Sequence, residues 1–243
     1  MNAELESRVV GPHLVTLGAM SPPRNPHSSD PRARAAATKR NRTRRALLDA
    51  ADAAFTARGW ARTRIEDVAA TAGVSPATAY NHFPAKHALI AEVYAPLIAP
   101  LVATEHARAA GGAEAVDGDP ATLVVEQIRA LARVCVRNRG LTAAYWAAVQ
   151  DYAVRVQAVP EPDDEQDPRT IAPVADVLHD LVERGQAAGE LRPDPPADTL
   201  CPILVDVLLT RIALHPAETA EPLTRLVAGL ALGVLAPERV AGG

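Results

Sequence analysis

Residues 73–89 read GVSPATAYNHFPAKHAL, and two helix starts are written into them in quick succession. Ser75 supplies a side-chain oxygen for the free N–H groups of a first turn, and Pro76 occupies the first helical position, where its missing N–H costs nothing. The segment that follows runs only to the break at Phe83-Pro84, where a further helix begins. Upstream, Thr63 precedes RIEDVAATAG, with Ile65, Val68 and Ala69 on one face and Glu66 three residues after Thr63, the spacing of a capping box. Helix, a turn of three or four residues containing Gly73, helix: these are the dimensions of a helix-turn-helix.

Successive residues of a helix turn by about 100°, which sorts the third segment by direction. Pro76 and Phe83 fall near Ala79, Thr78 and Tyr80 lie on opposite flanks, and Ala77 and Asn81 point away. The outward face is small, polar and hydrogen-bonding, which suits a major groove. Asn bonds an adenine edge twice, Ala and Thr methyls meet thymine methyls, and a Tyr hydroxyl reaches a phosphate. An ordinary amphipathic helix would show the same face, so the neighbouring helices decide the reading. Leu47, Leu48, Ala51, Ala54 and Phe55 form the stripe of a first helix beginning near Thr38 and ended by Gly59.

In order and spacing, ALLDAADAAFTARGWARTRIEDVAATAGVSPATAYNHFPAKHALIAEVY resembles the N-terminal domain of the TetR family of one-component transcriptional repressors. The resemblance implies that Thr63 caps the second helix and touches phosphate, and that Tyr80 and Lys86 hold the DNA backbone. Ser75, Pro76, Ala77, Thr78 and Asn81 would lie at or beside the bases. Arg42 and His82 complete the expected DNA-contact set. Pro76 and Ala77 have no side-chain donors, and Ala79 replaces a larger apolar residue, so readout is expected to lean partly on DNA shape.

Charge divides the 243-residue chain. Residues 1–100 hold 13 Lys and Arg against 8 Asp and Glu, whereas residues 101–243 hold 12 against 21. The basic excess gathers in TKRNRTRR, residues 38–45, a composition suited to polyphosphate. Residues 1–37, with Pro12, Pro22, Pro23, Pro26 and Pro31, read as a disordered arm. Residues 38–98 read as the DNA-binding domain, with Pro96 and Pro100 bending or ending its last helix. Residues 99–243 read as a larger helical effector-binding and dimerisation domain.

Apolar residues make up 48% of the chain and aromatics only 3%, without Val/Ile/Thr alternation, so the fold class is all-α. Further helices are expected near 121–138, 141–158, 171–188, 197–214 and 220–235. The resemblance implies that the last two pair with a second copy in a homodimer, through Ile203, Val207, Leu208, Leu226, Leu230 and Val234. It also implies that the remaining helices enclose a small-molecule effector; Tyr145, Trp146 and Tyr152, on one expected helix, read as core packing or as contacts to that effector.

The acidic stretch 161–167 lacks calcium-loop spacing and reads as a solvated loop. Cys135 and Cys201 have no ligand spacing, and His106 and His179 stand isolated, so no metal or cofactor is expected. No run of about 18 apolar residues or signal-peptide pattern is evident, which implies a cytoplasmic protein without membrane contact. GxSxG, GxxxxGK[ST], HExxH and GxGxxG are all absent, so no enzyme is expected. The partner would be a double-stranded DNA operator. The alternative is a non-catalytic helical interaction module with a basic nucleic-acid-binding arm.

Overall fold

Gly73 and Ser75 divide two seven-residue helices, α2 (Ile65–Thr71) and α3 (Pro76–His82), in a computed structural model that describes residues 31–110, 118–157 and 164–236. Gly73 takes φ +70°, a left-handed conformation that an L side chain resists, and so turns the chain between them. Before them lies α1 (Pro31–Arg58); after them come α4 (Lys86–Ala110), α5 (Pro120–Arg137), α6 (Arg139–Val156), α7 (Pro168–Ile171), α8 (Asp176–Ala187), α9 (Ala197–Leu214) and α10 (Ala220–Leu235). Among the described residues there is no strand. The chain divides into the units Met1–Lys39 and Arg40–Gly243.

Of the first unit, residues 31–39 are described, and they are helical and, from Arg32 on, exposed. This corrects the expected arm over 31–37: Pro31 stands where a helix tolerates it, and Ala35, Ala36 and Ala37 are the strongest helix formers. Residues 1–30 lie outside the described residues.

In the second unit, Leu47, Ala51 and Phe55 of α1 are fully buried with Val68 of α2, Ala79 of α3 and Ile90 of α4 in the core of the head. The corner between α1 and α2 is closed by Lys86. Its Nζ donates to Trp60 O at 2.8 Å and Thr63 O at 3.0 Å, and sits 3.8 Å from the centre of the Trp60 ring. Two carbonyls with no helical partner thereby receive a charged donor.

α4 carries Pro96 and Pro100 in its interior and still continues to Ala110, so of the two expected outcomes, bending or ending, the helix does not end there. Each proline removes one intrahelical donor, a local cost of about 3 kcal/mol or more. Packing on both sides of the defect offsets it: Leu89, Ile90, Tyr94 and Ile98 are buried. Tyr94 stacks on Tyr145 of α6 at 4.3 Å, and its hydroxyl lies 3.2 Å from Cys135 Sγ of α5. Over Lys86–Arg108, α4 is also long and apolar enough to cross a bilayer, with mean hydropathy 1.4, contrary to the sequence expectation. Here the core takes its apolar side, and the fully buried Glu105 pairs with Arg108 and, at 3.5 Å, with Arg184 of α8.

α5, α6, α8, α9 and α10 pack around one another beyond α4. Arg139, opening α6, donates to Ile212 O at 2.9 Å and His215 O at 3.2 Å, tying the end of α9. The expected helix over 171–188 is split: α7 ends at Ile171, and α8 starts at Asp176 after Pro173. Asp167, expected in a solvated loop, is buried. It caps α7 through Arg169 N at 2.8 Å and pairs with the Arg169 guanidinium at 2.7 Å.

Two substitutions test these contacts. A Cβ at Gly140 would lie 2.8 Å from Thr56 O of α1, a backbone atom that cannot swing aside. Gly140→Ala is therefore expected to destabilise by about 1–3 kcal/mol, read as a fall in thermal midpoint of roughly 2–4 °C per kcal/mol. Lys86→Met keeps the stem on Trp60 but removes the charged donor from both carbonyls, leaving Trp60 O with the 3.3 Å bond from Thr63 N. Urea unfolding should show a loss of about 1–3 kcal/mol, and an unchanged midpoint would show that the two bonds contribute nothing net.

Candidate nucleic-acid interface

The short helix α3 is set by both of its ends. Ser75 Oγ accepts from Thr78 N at 3.2 Å, Pro76 fills the first turn, and Phe83 N closes on Ala79 O at 2.8 Å. Ala79 and Phe83, 1% and 2% exposed, fasten one side to the head. Ser75, Pro76, Ala77, Tyr80 and Asn81 are exposed, and Thr78 and His82 are half-buried. Pro76, placed near the buried side by angle alone, is thus open to solvent at the helix start. Thr78 is occupied locally, its Oγ1 lying 2.9 Å from Ser75 Oγ.

Tyr80 leans off the flank of α3 and donates its hydroxyl to Glu66 Oε1 of α2 at 2.7 Å. That bond holds the Glu66 carboxyl below its ordinary pKa and raises the Tyr80 phenol. Glu66 is thereby engaged with the third helix, and the capping box is not formed. The residue before α2 is Arg64, which makes no side-chain cap bond. Thr63 is 1% exposed, with its Oγ1 2.9 Å from Gly59 O and 3.2 Å from Ala54 O, so it fastens the end of α1. A threonine hydroxyl serves either purpose from the same spacing, and only the path of the chain through residues 59–63 decides between them.

Lys86 is half-buried beside Tyr80 and Glu66, where Ala61, Arg64 and Ile65 complete a shallow depression. Burial lowers its pKa first, and two of its three N–H directions are taken by carbonyls. Burial, then the charges of Arg40 and Arg44, lowers the pKa of His82. Arg44 lies over the Phe83 ring at 4.7 Å and pairs with Glu92 at 2.6 Å, which bolts α1 to α4 behind α3. Arg42 is exposed on α1.

The expected effector residues are placed differently. Tyr145 is buried and donates to Ala172 O at 2.8 Å; Trp146 is half-buried against the core. The hydroxyl of Tyr152 bonds Asp164, and its ring meets His87 edge-on at 5.2 Å. A cleft of about 760 Å³ lies beside them, lined by Arg44, His82 and Glu92 on the head side and by Asp164, Gln166 and Thr170 across from it. None of the three aromatic residues lines it, though Tyr152 touches its wall through Asp164. His106 and His179, isolated in sequence, come together at Asp180. Separation along the chain hid that meeting.

Residues 47–93 match the family described as bacterial regulatory proteins, tetR family. No curated protein sequence matches the chain. Among solved structures, FadR of Thermus thermophilus, a TetR-family transcriptional repressor in complex with lauroyl-CoA, is 23% identical, with TM-score 0.61 over 82% of this chain and 99% of that one. RolR in complex with resorcinol is 18% identical, with TM-score 0.54 over 83% and 91%. A TetR-family regulator of Marinobacter aquaeolei is 19% identical, with TM-score 0.53 over 83% and 100%. These likenesses establish the all-helical fold beyond the head. The helix-turn-helix at the N-terminal side thus matches the tetR-family model over residues 47–93, and the chain as a whole shares the all-helical fold of these solved TetR-family structures.

Proposed function

We propose that this regulator is a homodimeric repressor that binds an inverted-repeat operator and leaves it when a small-molecule effector binds. The observation that carries the DNA reading is the exposed face of α3, with Ala77 and Asn81 outward while Ala79 and Phe83 lock the helix from behind. Asn81 is the base reader by chemistry, through an adenine edge; Ala77, Pro76 and the Thr78 methyl offer van der Waals contact. Ser75, Tyr80, His82 and Arg42 lie around that face as backbone contacts. Lys86 adds the one donor direction left by its two carbonyls, and Thr63 positions the α2 start from inside.

Dimerisation through α9 and α10 is supported by three large apolar side chains left in water: Ile203, Leu226 and Leu230, 52%, 41% and 46% exposed. Val207 and Val234 are half-buried beside this surface, whereas Leu208 belongs to the chain's own core. A second copy covers such a face and supplies the second reading head that a short helix needs for useful specificity. For the effector, FadR with lauroyl-CoA and RolR with resorcinol support a small-molecule ligand, with Tyr145, Trp146 and Tyr152 of α6 as its candidate contacts. Residues 38–98 act as the reading domain and 99–243 as the sensing and dimerising domain, with α4 shared. The protein acts in the cytoplasm, where its DNA is.

A footprint on genomic fragments, including the gene's own upstream region, is expected to reveal paired half-sites about 34 Å apart. Asn81→Ala should relax discrimination at one base pair by about 1–3 kcal/mol; equal losses on operator and random duplex would remove Asn81 as a reader. Charging the apolar face with Leu226→Glu and Leu230→Glu is expected to give folded monomers by sedimentation. A folded monomer that keeps wild-type affinity for the full repeat would overturn the dimeric reading.

A further inference from the structure

Two helices remote in sequence bring metal-binding groups to one place. On α8, Asp176, His179, Asp180 and Glu183 recur at i, i+3, i+4 and i+7 and so share a face. Across from it, His106 of α4 places Nε2 3.3 Å from one oxygen of Asp180, and His179 places Nδ1 3.6 Å from the other. One donor atom from each of His179, Asp180 and Glu183 lies within 4.8 Å of the others. In a tetrahedral shell with bonds of about 2.0–2.2 Å, neighbouring ligand atoms stand about 3.3–3.6 Å apart. Each His–Asp separation has that value, though to a different oxygen of Asp180, so one ion would draw on both carboxylate oxygens or turn the carboxylate.

The second ring nitrogen of His179 supports the same use. Its Nε2 lies 2.7 Å from Asp198 Oδ1, in the first turn of α9. A neutral imidazole has one N–H; given to Asp198, it leaves the Nδ1 lone pair facing Asp180, two electron-rich atoms that a cation between them would join. Carboxylate, imidazole, metal is the order in which proteins orient a ligating histidine. A doubly protonated His179 would pair with both carboxylates; what ion pairing leaves over is Glu183, whose donor atom lies within 4.8 Å of those of His179 and Asp180, and the second imidazole, His106, approaching the same Asp180. His106 is 62% exposed and gives an ion a way in.

We propose that His179 Nδ1, Asp180 and Glu183 form a site for a first-row transition-metal ion of the zinc class, and that the exposed His106, which meets Asp180, swings in to complete it. Mixed imidazole and carboxylate donors favour zinc, cobalt or nickel over magnesium or calcium. Once filled, the site joins α4 to α8 near the buried Glu105.

Cobalt(II) alone is the probe, added to the full chain, with the visible absorption of the bound ion as the signal and zinc as competitor. One saturable ion per chain is expected, displaced by zinc and not by magnesium at the same concentration. His106→Ala and His179→Ala should each weaken cobalt binding at least about 10-fold, and Asp198→Asn about 10–100-fold by freeing the ring of His179. His215→Ala, on a histidine beside Arg211, serves as the unchanged control. These side chains lie at the surface, and the helical circular dichroism of each variant confirms folding. No saturable band, displacement by magnesium, or parent-like affinity in either His106→Ala or His179→Ala overturns the site.

Discussion

An ammonium group at one corner holds the helix-turn-helix head together. Lys86 Nζ sits on the Trp60 ring and between the carbonyls of Trp60 and Thr63, so the end of α1, the start of α2 and the start of α4 meet at one cation. With that corner fixed, α3 has only its own caps and two apolar anchors to satisfy. Its seven residues could not hold a helix alone, since short helices in water lose to conformational entropy. The exposed Asn81 is therefore only as well placed as the buried contacts around it.

From Trp60 the contacts continue inward. Its ring lies 4.7 Å from His87, His87 bonds Asp151 of α6 at 2.8 Å, and the same imidazole meets Tyr152, whose hydroxyl reaches Asp164 on the wall of the cleft. The head is thereby joined to α6 and to the segment before α7 by side chains of fixed shape rather than by loose surface. Polar hydrogens and aromatic faces, each with few good orientations, make the joint stiff.

Much of the architecture was legible because local signals and packing agree. Ser75-Pro76 starts α3, Gly59 and Gly73 end their helices at positive φ, and the apolar periodicity placed α9 and α10 at 197–214 and 220–235. The sequence misled where packing overrode a local rule. Pro96 and Pro100 are breakers by propensity, yet α4 runs through them because its sides are buried. Thr63 and Glu66 have capping spacing but turn to other partners. Two partnerships were invisible: the bonds of Lys86 to the carbonyls of Trp60 and Thr63, and the meeting of His106 with Asp180 across 74 residues that no periodicity links.

Those two prolines give α4 a mechanical character. Pro96 and Pro100 leave the carbonyls of Glu92 and Pro96 without their usual donors, one turn apart and between the head-facing and body-facing stretches of the helix. A rod with its missing bonds gathered at one place bends there at least cost and stays stiff on either side. Lys86 and Arg44 clamp one stiff length to the head; Glu105 pins the other to α8. A force applied at the far end would therefore reach α3 as rotation about a joint, and the position of that joint along α4 would set the ratio between movements on its two sides.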